Sequence, residues 1–419
     1  MRLRVFLTAA ALIAPGLAAA SDWPRWRGPH GDGTVAPPIY SGELSERLVR
    51  LWECEIGAGH SGPVVSGDRV WVHSRQGDSE VVSALRLTDG EVLWQRSYEV
   101  AFRQDHTALA HGLGPYSTPA VADGRLFTFS VDAVLKAWDA GTGALLWQKA
   151  SSEEFDPSFP YFGAAASPLV WEGLCLVHLG GHERDDIEDS SVGAMVALDV
   201  SDGREIWRWS GDGPALAASP VIQQVEGRPH LVFKTKELLV GLEPLTGKEL
   251  WRMPFRVPMD NTIVTPLLFG GTLLTSDWDM GLLAWRLGPE GESWEVRPKW
   301  QHRQVSLSMS SPVIAGDLVV GFSAFRRGQL FVADPETGEV LWLGAPRRGE
   351  HATLISWGRR VLVVQEDGRL LVAEVSSNGL VPTRTYRMGQ SVVWSHPAVV
   401  GDRIVFRDGN QLAMARLGE

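Results

Sequence analysis

Six short runs in this chain turn on a glycine and close on a tryptophan. They are TDGEVLW at Trp94, TGALLW at Trp147, SDGREIW at Trp207, TGKELW at Trp251, a degenerate copy near Trp300, and TGEVLW at Trp342. A proline step opens each repeat, in SGPVV, STPAV, ASPLV, ASPVI, VTPLL and SSPVI. A unit of about 40 to 50 residues repeated in this way cannot bury its own apolar face, so neighbours must stack to do so. The repeat covers nearly all of the 419 residues. It overrides the two or three domains that length alone suggests and predicts one large domain.

Each unit reads as four short strands. In residues 117–150 the strands are expected at 118–122, 126–130, 134–138 and 144–149, with DG and TG pairs as hairpin punctuation. Gly143 supplies the left-handed residue of the last turn. The template places blades at 60–98, 115–150, 163–209, 215–253, 262–304, 308–346 and 350–388. Residues 394–417 supply only three strands, and 48–56, carrying Trp52, reads as the fourth. The expectation is an all-β, eight-bladed β-propeller of four-stranded antiparallel blades, occupying 48–419. Closing the ring with strands from both termini leaves no free edge between first and last blades. The recurring tryptophan is expected to pack between neighbouring blades with its indole N–H on a backbone acceptor.

A net charge of −11 argues against a nucleic-acid partner, which would need a basic surface. Arg2 and Arg4, the apolar run Val5 to Leu17 and Ala18-Ala19-Ala20 form a signal-peptide pattern with cleavage expected between Ala20 and Ser21. The apolar run is short for a membrane span, and no cysteine stands at the cleavage point for a lipid anchor. The expectation is a periplasmic or secreted monomer, with 21–47 as a lead-in to the propeller. Cys54 and Cys175 fall on non-adjacent blades and are expected to be buried free thiols.

The Ser/Thr-Pro opening combined with the A-x-D-x-x-T-G-x-x-L-W closing resembles the pyrroloquinoline-quinone-type (PQQ-like) propeller repeat. Residues 22–33, DWPRWRGPHGDG, resemble a W-x-x-W-R-G-P-x-x-D-G lead-in found on exported bacterial members of that superfamily. A more distant resemblance is to the propeller lipoprotein of the outer-membrane β-barrel assembly machinery. The superfamily's dehydrogenases use the quinone with calcium, commonly beside a disulfide of adjacent cysteines; here the two cysteines are far apart in the chain. The ring-filling repeat and the lack of catalytic signatures lead to the expectation of a non-catalytic binding or interaction scaffold, with a protein partner or small ligand and no resident cofactor. The rival reading is a quinone- or metal-dependent oxidoreductase with its site at the central funnel, using pyrroloquinoline quinone and calcium.

No nucleophile elbow, phosphate loop or zinc-protease motif occurs. Asp277, Asp279 and Gly281 read as a polar hairpin turn, and HERDDIEDSS at 182–191 as a solvated acidic loop. Aligning the repeats on Pro63, Pro119, Pro168, Pro220, Pro266, Pro312, Leu354 and Pro397 is more informative. Three residues earlier stand His60, Tyr116, Ala165, Ala217, Ile263, Met309, His351 and Trp394. The first strand of a blade is innermost, so this position faces the channel mouth. Blades seven, eight, one and two then present a polar-aromatic arc of His351, Trp394, His60 and Tyr116, opposite a small apolar arc. His396 shares the face of Trp394 in an extended strand. His111, Asp260, Asn261 and His302 are weaker candidates in the approach loops. This arc is read as a ligand or metal pocket, the alternative being a channel plugged by ordinary side chains.

Overall fold

The computed structural model describes residues 22–37, 40–100, 102, 111–155, 162–182, 191–215, 217–258, 262–290, 293–390 and 394–418. The expected signal segment and its cleavage point, nearly all of the acidic loop, Asp260 and Asn261 lie outside the described residues. No helix among the described residues is long and apolar enough to cross a membrane.

Eight antiparallel four-stranded sheets make up the fold, the all-β eight-bladed propeller read from the repeat. Blade one runs from Val64–Ser66 to Val92–Glu99, and blade two from Ala120–Ala122 to Leu145–Ala150. Blades three to seven follow in chain order. In each of these seven, consecutive strands pair in sequence, from the inner strand outward. Blade eight takes Ala398–Val400, Arg403–Asp408 and Gln411–Gly418 from the C-terminal side and its outer strand, Leu44–Glu55, from the N-terminal side. The closing register sets Trp52 opposite Met414 and Glu55 opposite Gln411. The strand begins at Leu44, earlier than residue 48, because Ser45 is held by two blades: its hydroxyl donates to the Gly418 carbonyl at 2.8 Å, and its own carbonyl accepts from the Tyr386 hydroxyl at 2.6 Å.

The apolar core is divided into slices between neighbouring blades. One cluster joins Phe127 and Leu135 to Val177 and Val196, and another joins Leu231 and Phe233 to Met195 and Trp207. The repeated tryptophan stitches these slices together. Trp52 Nε1 donates to the Leu87 carbonyl at 2.8 Å, Trp94 to Ala140 at 3.1 Å, Trp147 to Val200 at 3.1 Å and Trp207 to Pro244 at 3.0 Å, each acceptor on the following blade. The glycine of the following turn is required by the same contact. A Cβ at Gly143, whose φ is +69°, would lie 2.6 Å from the Trp94 ring. Blade five breaks the pattern, replacing the TG turn with a longer hairpin, and Trp251 donates instead to His230 Nδ1 at 3.0 Å within its own blade.

Both thiols are free, as read from their spacing. Cys175 is buried, and desolvation pushes its pKa up. Cys54 is only half-buried, because it sits on an outer strand whose faces alternate toward solvent.

Candidate functional site

The proline steps build the channel wall. At four of these steps the Ser or Thr before the proline accepts a hydrogen bond from the backbone N–H of the equivalent residue one blade earlier. Gly62 N donates to Thr118 Oγ1 at 3.1 Å, Thr118 N to Ser167 Oγ at 3.0 Å, Ser167 N to Ser219 Oγ at 2.9 Å, and Thr265 N to Ser311 Oγ at 3.0 Å. These first strands carry few ladder bonds, so side-chain hydroxyls satisfy backbone donors that would otherwise be buried unpaired. The proline has no N–H to satisfy at the next position. In blade eight the hydroxyl position is taken by His396, and Gly62 leaves room for its carbonyl, which would lie 2.5 Å from a Cβ there.

All eight positions three residues before the proline line one cavity of about 150 Å³. His351 and Trp394 stack at 5.1 Å, His60 and Tyr116 stack at 5.3 Å, and the His60 ring meets Trp394 edge-on at 6.3 Å. Ala165, Ala217, Ile263 and Met309 form the remainder of this tier. His111 joins the arc, edge-on to Trp394 at 5.4 Å, and so does Phe162, which contacts both His111 and Tyr116 at 5.4 Å. Phe162 carries no repeat signal, since it stands in a loop of variable length ahead of Pro168. His302 does not join. It ends the outer strand Ser293–His302 of blade five, where its Nε2 donates to the Thr337 carbonyl at 3.1 Å. A long last hairpin moves that histidine to the rim of the disc, not to the axis.

The lead-in closes the other end of the cavity. Residues 23–35 cross beneath the channel and touch each blade in turn. Trp23 exchanges backbone hydrogen bonds with Val65 at 2.9 and 2.8 Å, and Pro24 accepts from Val121 N at 2.8 Å. Arg25 Nη1 donates to the Val170 carbonyl at 3.0 Å, and Gly31 abuts Val221. Trp26 Nε1 donates to Thr265 Oγ1 at 3.1 Å, Arg27 Nη2 donates to the Pro312 carbonyl, and Ser356 is bonded to Gly33 and Val35 at 2.8 and 3.0 Å. In blade eight the His396 ring lies between Trp23, at 5.8 Å, and Trp26, at 5.4 Å. Trp26 and Arg27 thus form the floor, and the cavity is a blind funnel. The channel is plugged at one end by the lead-in, a role its sequence did not reveal.

Desolvation dominates the electrostatics. Burial pushes His60 and His351 down to about 4, with the Arg407 charge adding to the effect at His60. Burial, with the nearby Arg27 charge, pushes His396 down to about 3. All three are neutral imidazoles at pH 7. His60 Nε2 lies 2.5 Å from the His111 carbonyl, which can only accept, so the ring proton sits on Nε2.

Two buried polar networks lie away from the funnel. His73 Nε2 and Tyr98 Oη meet at 2.9 Å, and both lie 3.0 Å from Glu80 Oε2. Lys234 pairs with Asp277, whose other oxygen accepts from Ile263 N at 3.0 Å and Val264 N at 3.1 Å. Burial lowers the Lys234 pKa and raises that of Asp277, and their mutual attraction opposes both shifts. Residues 276–281 form the polar hairpin turn read from the sequence, between Thr272–Thr275 and Leu282–Glu290, with Met280 N donating to the Asp277 carbonyl at 3.1 Å. Within that turn the Asp277 carboxylate is fully buried and cross-links blades four and five.

The funnel residues do not fit a quinone with a resident cation. Among the described residues that line the funnel there is no Asp or Glu, so these offer a hard cation no carboxylate. Among the described residues no three His, Cys, Asp or Glu side chains are grouped to hold a metal ion.

Among known proteins, the chain is 25% identical over 315 residues to the putative dehydrogenase XoxF of Paracoccus denitrificans, an alignment covering 68% of this chain but only 48% of that protein. It is 23% identical over 346 residues to the outer membrane protein assembly factor BamB of Shewanella oneidensis, covering 78% of this chain and 80% of the relative. The solved structure of BamB from Moraxella catarrhalis matches with a TM-score of 0.59 at 17% identity, over 87% of this chain and 97% of the other. Identity this low carries the fold and not the chemistry. The family model described as outer membrane protein assembly factor BamB matches residues 77–344, well over half of the chain, and the protein belongs to that PQQ_2 family.

Proposed function

We propose that this protein is an exported, periplasmic and non-catalytic interaction scaffold whose funnel face binds a partner protein. The observation that carries the reading is the blind funnel itself: a rim of stacked aromatic rings and neutral imidazoles over a floor made by the chain's own lead-in. Such a rim suits insertion of an uncharged or aromatic side chain, where ring faces supply contact area with little loss of conformational freedom. Beside it, and sharing Met309, lies a broader cleft of about 790 Å³ with Trp278 and the guanidinium-bearing Arg327 and Arg347 on its walls. Aromatic and arginine side chains are the types enriched at binding hot spots. The family match and the name of the BamB relatives, assembly factors for outer membrane proteins, support the same reading. Export and a periplasmic setting rest on the signal-peptide pattern at residues 1–20.

Site-specific photocrosslinking in periplasmic extract tests it. A crosslinker at Trp278 should capture one discrete protein, whereas one at Leu146, on the outer edge of blade two, should not. Trp394→Ala should reduce the Trp278 capture by about tenfold or more. Equal capture from both sites would sink the proposal. So would no capture at all, together with dye reduction on an alcohol after addition of pyrroloquinoline quinone and calcium.

A further inference from the structure

Among the described residues Arg407 has no counter-ion, although it lies deep in the protein. It stands in the second strand of blade eight, Arg403–Asp408, and is 3% exposed. Its Nη2 donates to the Gly57 carbonyl at 3.0 Å and to the Ala58 carbonyl at 3.3 Å, while Nε and Nη1 have no partner among the described residues. Burial acts on this guanidinium, pulling its pKa down to about 9. At pH 7 it is still charged. Buried cations are normally paired, because an isolated charge in low dielectric is strongly disfavoured.

The guanidinium borders a cleft of about 200 Å³ between blades eight and one. Ser395 lines the same cleft, and its hydroxyl is also buried without a partner. His60, His111 and Trp394 form the wall shared with the central funnel. On the far side the cleft is bounded by glycine-rich loops. At Gly59, where φ is +127°, a Cβ would stand 3.0 Å from Arg407 Nη1, so the absence of a side chain keeps the guanidinium open to the cleft.

We propose that this cleft is a binding site for a small monocarboxylate. The carboxylate is held by Arg407 and Ser395, and its apolar body lies against His60, His111 and Trp394. A carboxylate supplies the acceptors that Nε, Nη1 and the Ser395 hydroxyl lack, and charge-assisted hydrogen bonds of this kind are the strong ones. An aromatic or short aliphatic body matches the size and the ring-lined wall. Arg407 and Ser395 line this cleft and not the central funnel, whose own buried cation, Arg27, has the Asp32 charge acting on it. The assignment goes beyond the partner-binding proposal and does not rest on it.

Sodium benzoate, with the neutral isostere benzamide as control, is the probe. At pH 7 and constant ionic strength, benzoate should bind the full chain saturably by calorimetry and quench tryptophan emission through Trp394. Benzamide should bind about tenfold more weakly or not at all. Arg407→Met should weaken benzoate by about tenfold or more, with an unchanged circular dichroism spectrum. Absence of saturable benzoate binding, equal binding of benzamide, or full affinity in folded Arg407→Met would each overturn the site. Should Arg407→Met not fold, the benzoate–benzamide comparison on the unmodified protein decides alone. Chloride that saturates the site and fully displaces benzoate at lower concentration would reassign it to a halide. Partner capture at Trp278 in the Arg407→Met variant should be unaffected, so the two proposals fail separately.

Discussion

Individual histidines give this protein a pH dependence that its acidic composition does not suggest. His178, His351 and His396 are buried, and desolvation holds their pKa values at about 3, 4 and 3. An unfolded histidine titrates near 6.5. Between these values the unfolded chain binds more protons than the folded one, so stability rises with pH and is fully present above about 6.5. Each such imidazole costs up to about 1.4 kcal/mol per pH unit below that point. Urea unfolding at about pH 5 should therefore give a free energy at least ~2 kcal/mol below that at about pH 7.5, and His178→Phe should flatten the slope by close to one proton. A slope unchanged by that substitution would remove buried histidine as the cause. The positions of His60, Tyr116, His351 and Trp394 were legible because the opening step, a proline in seven blades and Leu354 in blade seven, sets their register. Phe162 and Arg27 were not, since they stand in loops that carry no repeat, and Arg407 was not, since the cleft it borders lies between two blades. Lys234 and Asp277 were hidden for a related reason: the pair bridges two blades, and neither residue is marked within its own.

At the level of the single blade, the tryptophan and the glycine turn work as one device shared between neighbours. Gly143 and Gly124 both have φ near +70°, but only Gly143 faces a tryptophan ring; around a Cβ at Gly124 there is open space within 4 Å. Gly124→Ala should cost about 1–2 kcal/mol for the left-handed backbone. Gly143→Ala should cost that plus a further ~1–3 kcal/mol for overlap with Trp94. Comparing the two denaturation midpoints isolates the inter-blade contact, and equal shifts would show that the ring yields freely. Strand identity and order were legible from turn residues and alternation, and most ends fall within a residue or two of expectation. The early start of the closing strand at Leu44 was not, because Tyr386 and Gly418, which anchor Ser45, are remote in sequence.

Over the whole molecule, ring closure and channel closure are separate jobs done by adjacent stretches of chain. Leu44–Glu55 completes blade eight, whereas residues 23–35 plug the funnel floor. Deleting 22–37 should leave the ring folded and its floor open. Hydrogen exchange should then show lost protection at Val65, Val121 and Ser356, whose amides donate to the lead-in, with protection kept along 411–418. Loss along 411–418 as well would mean the lead-in is needed to hold the ring shut. The sequence by itself determined the blade count, the strand order, the closure by both termini and the ring of eight mouth positions. All of these follow from periodic apolar patterning and turn chemistry, which act locally and repeat. Only the tertiary structure decided that the lead-in is a floor, that His60, His178, His351 and His396 stay neutral, that Asp277 is paired and that Arg407, among the described residues, is not. Those properties depend on which groups are removed from water together, and that is set by contacts between blades, not by the order of residues within one.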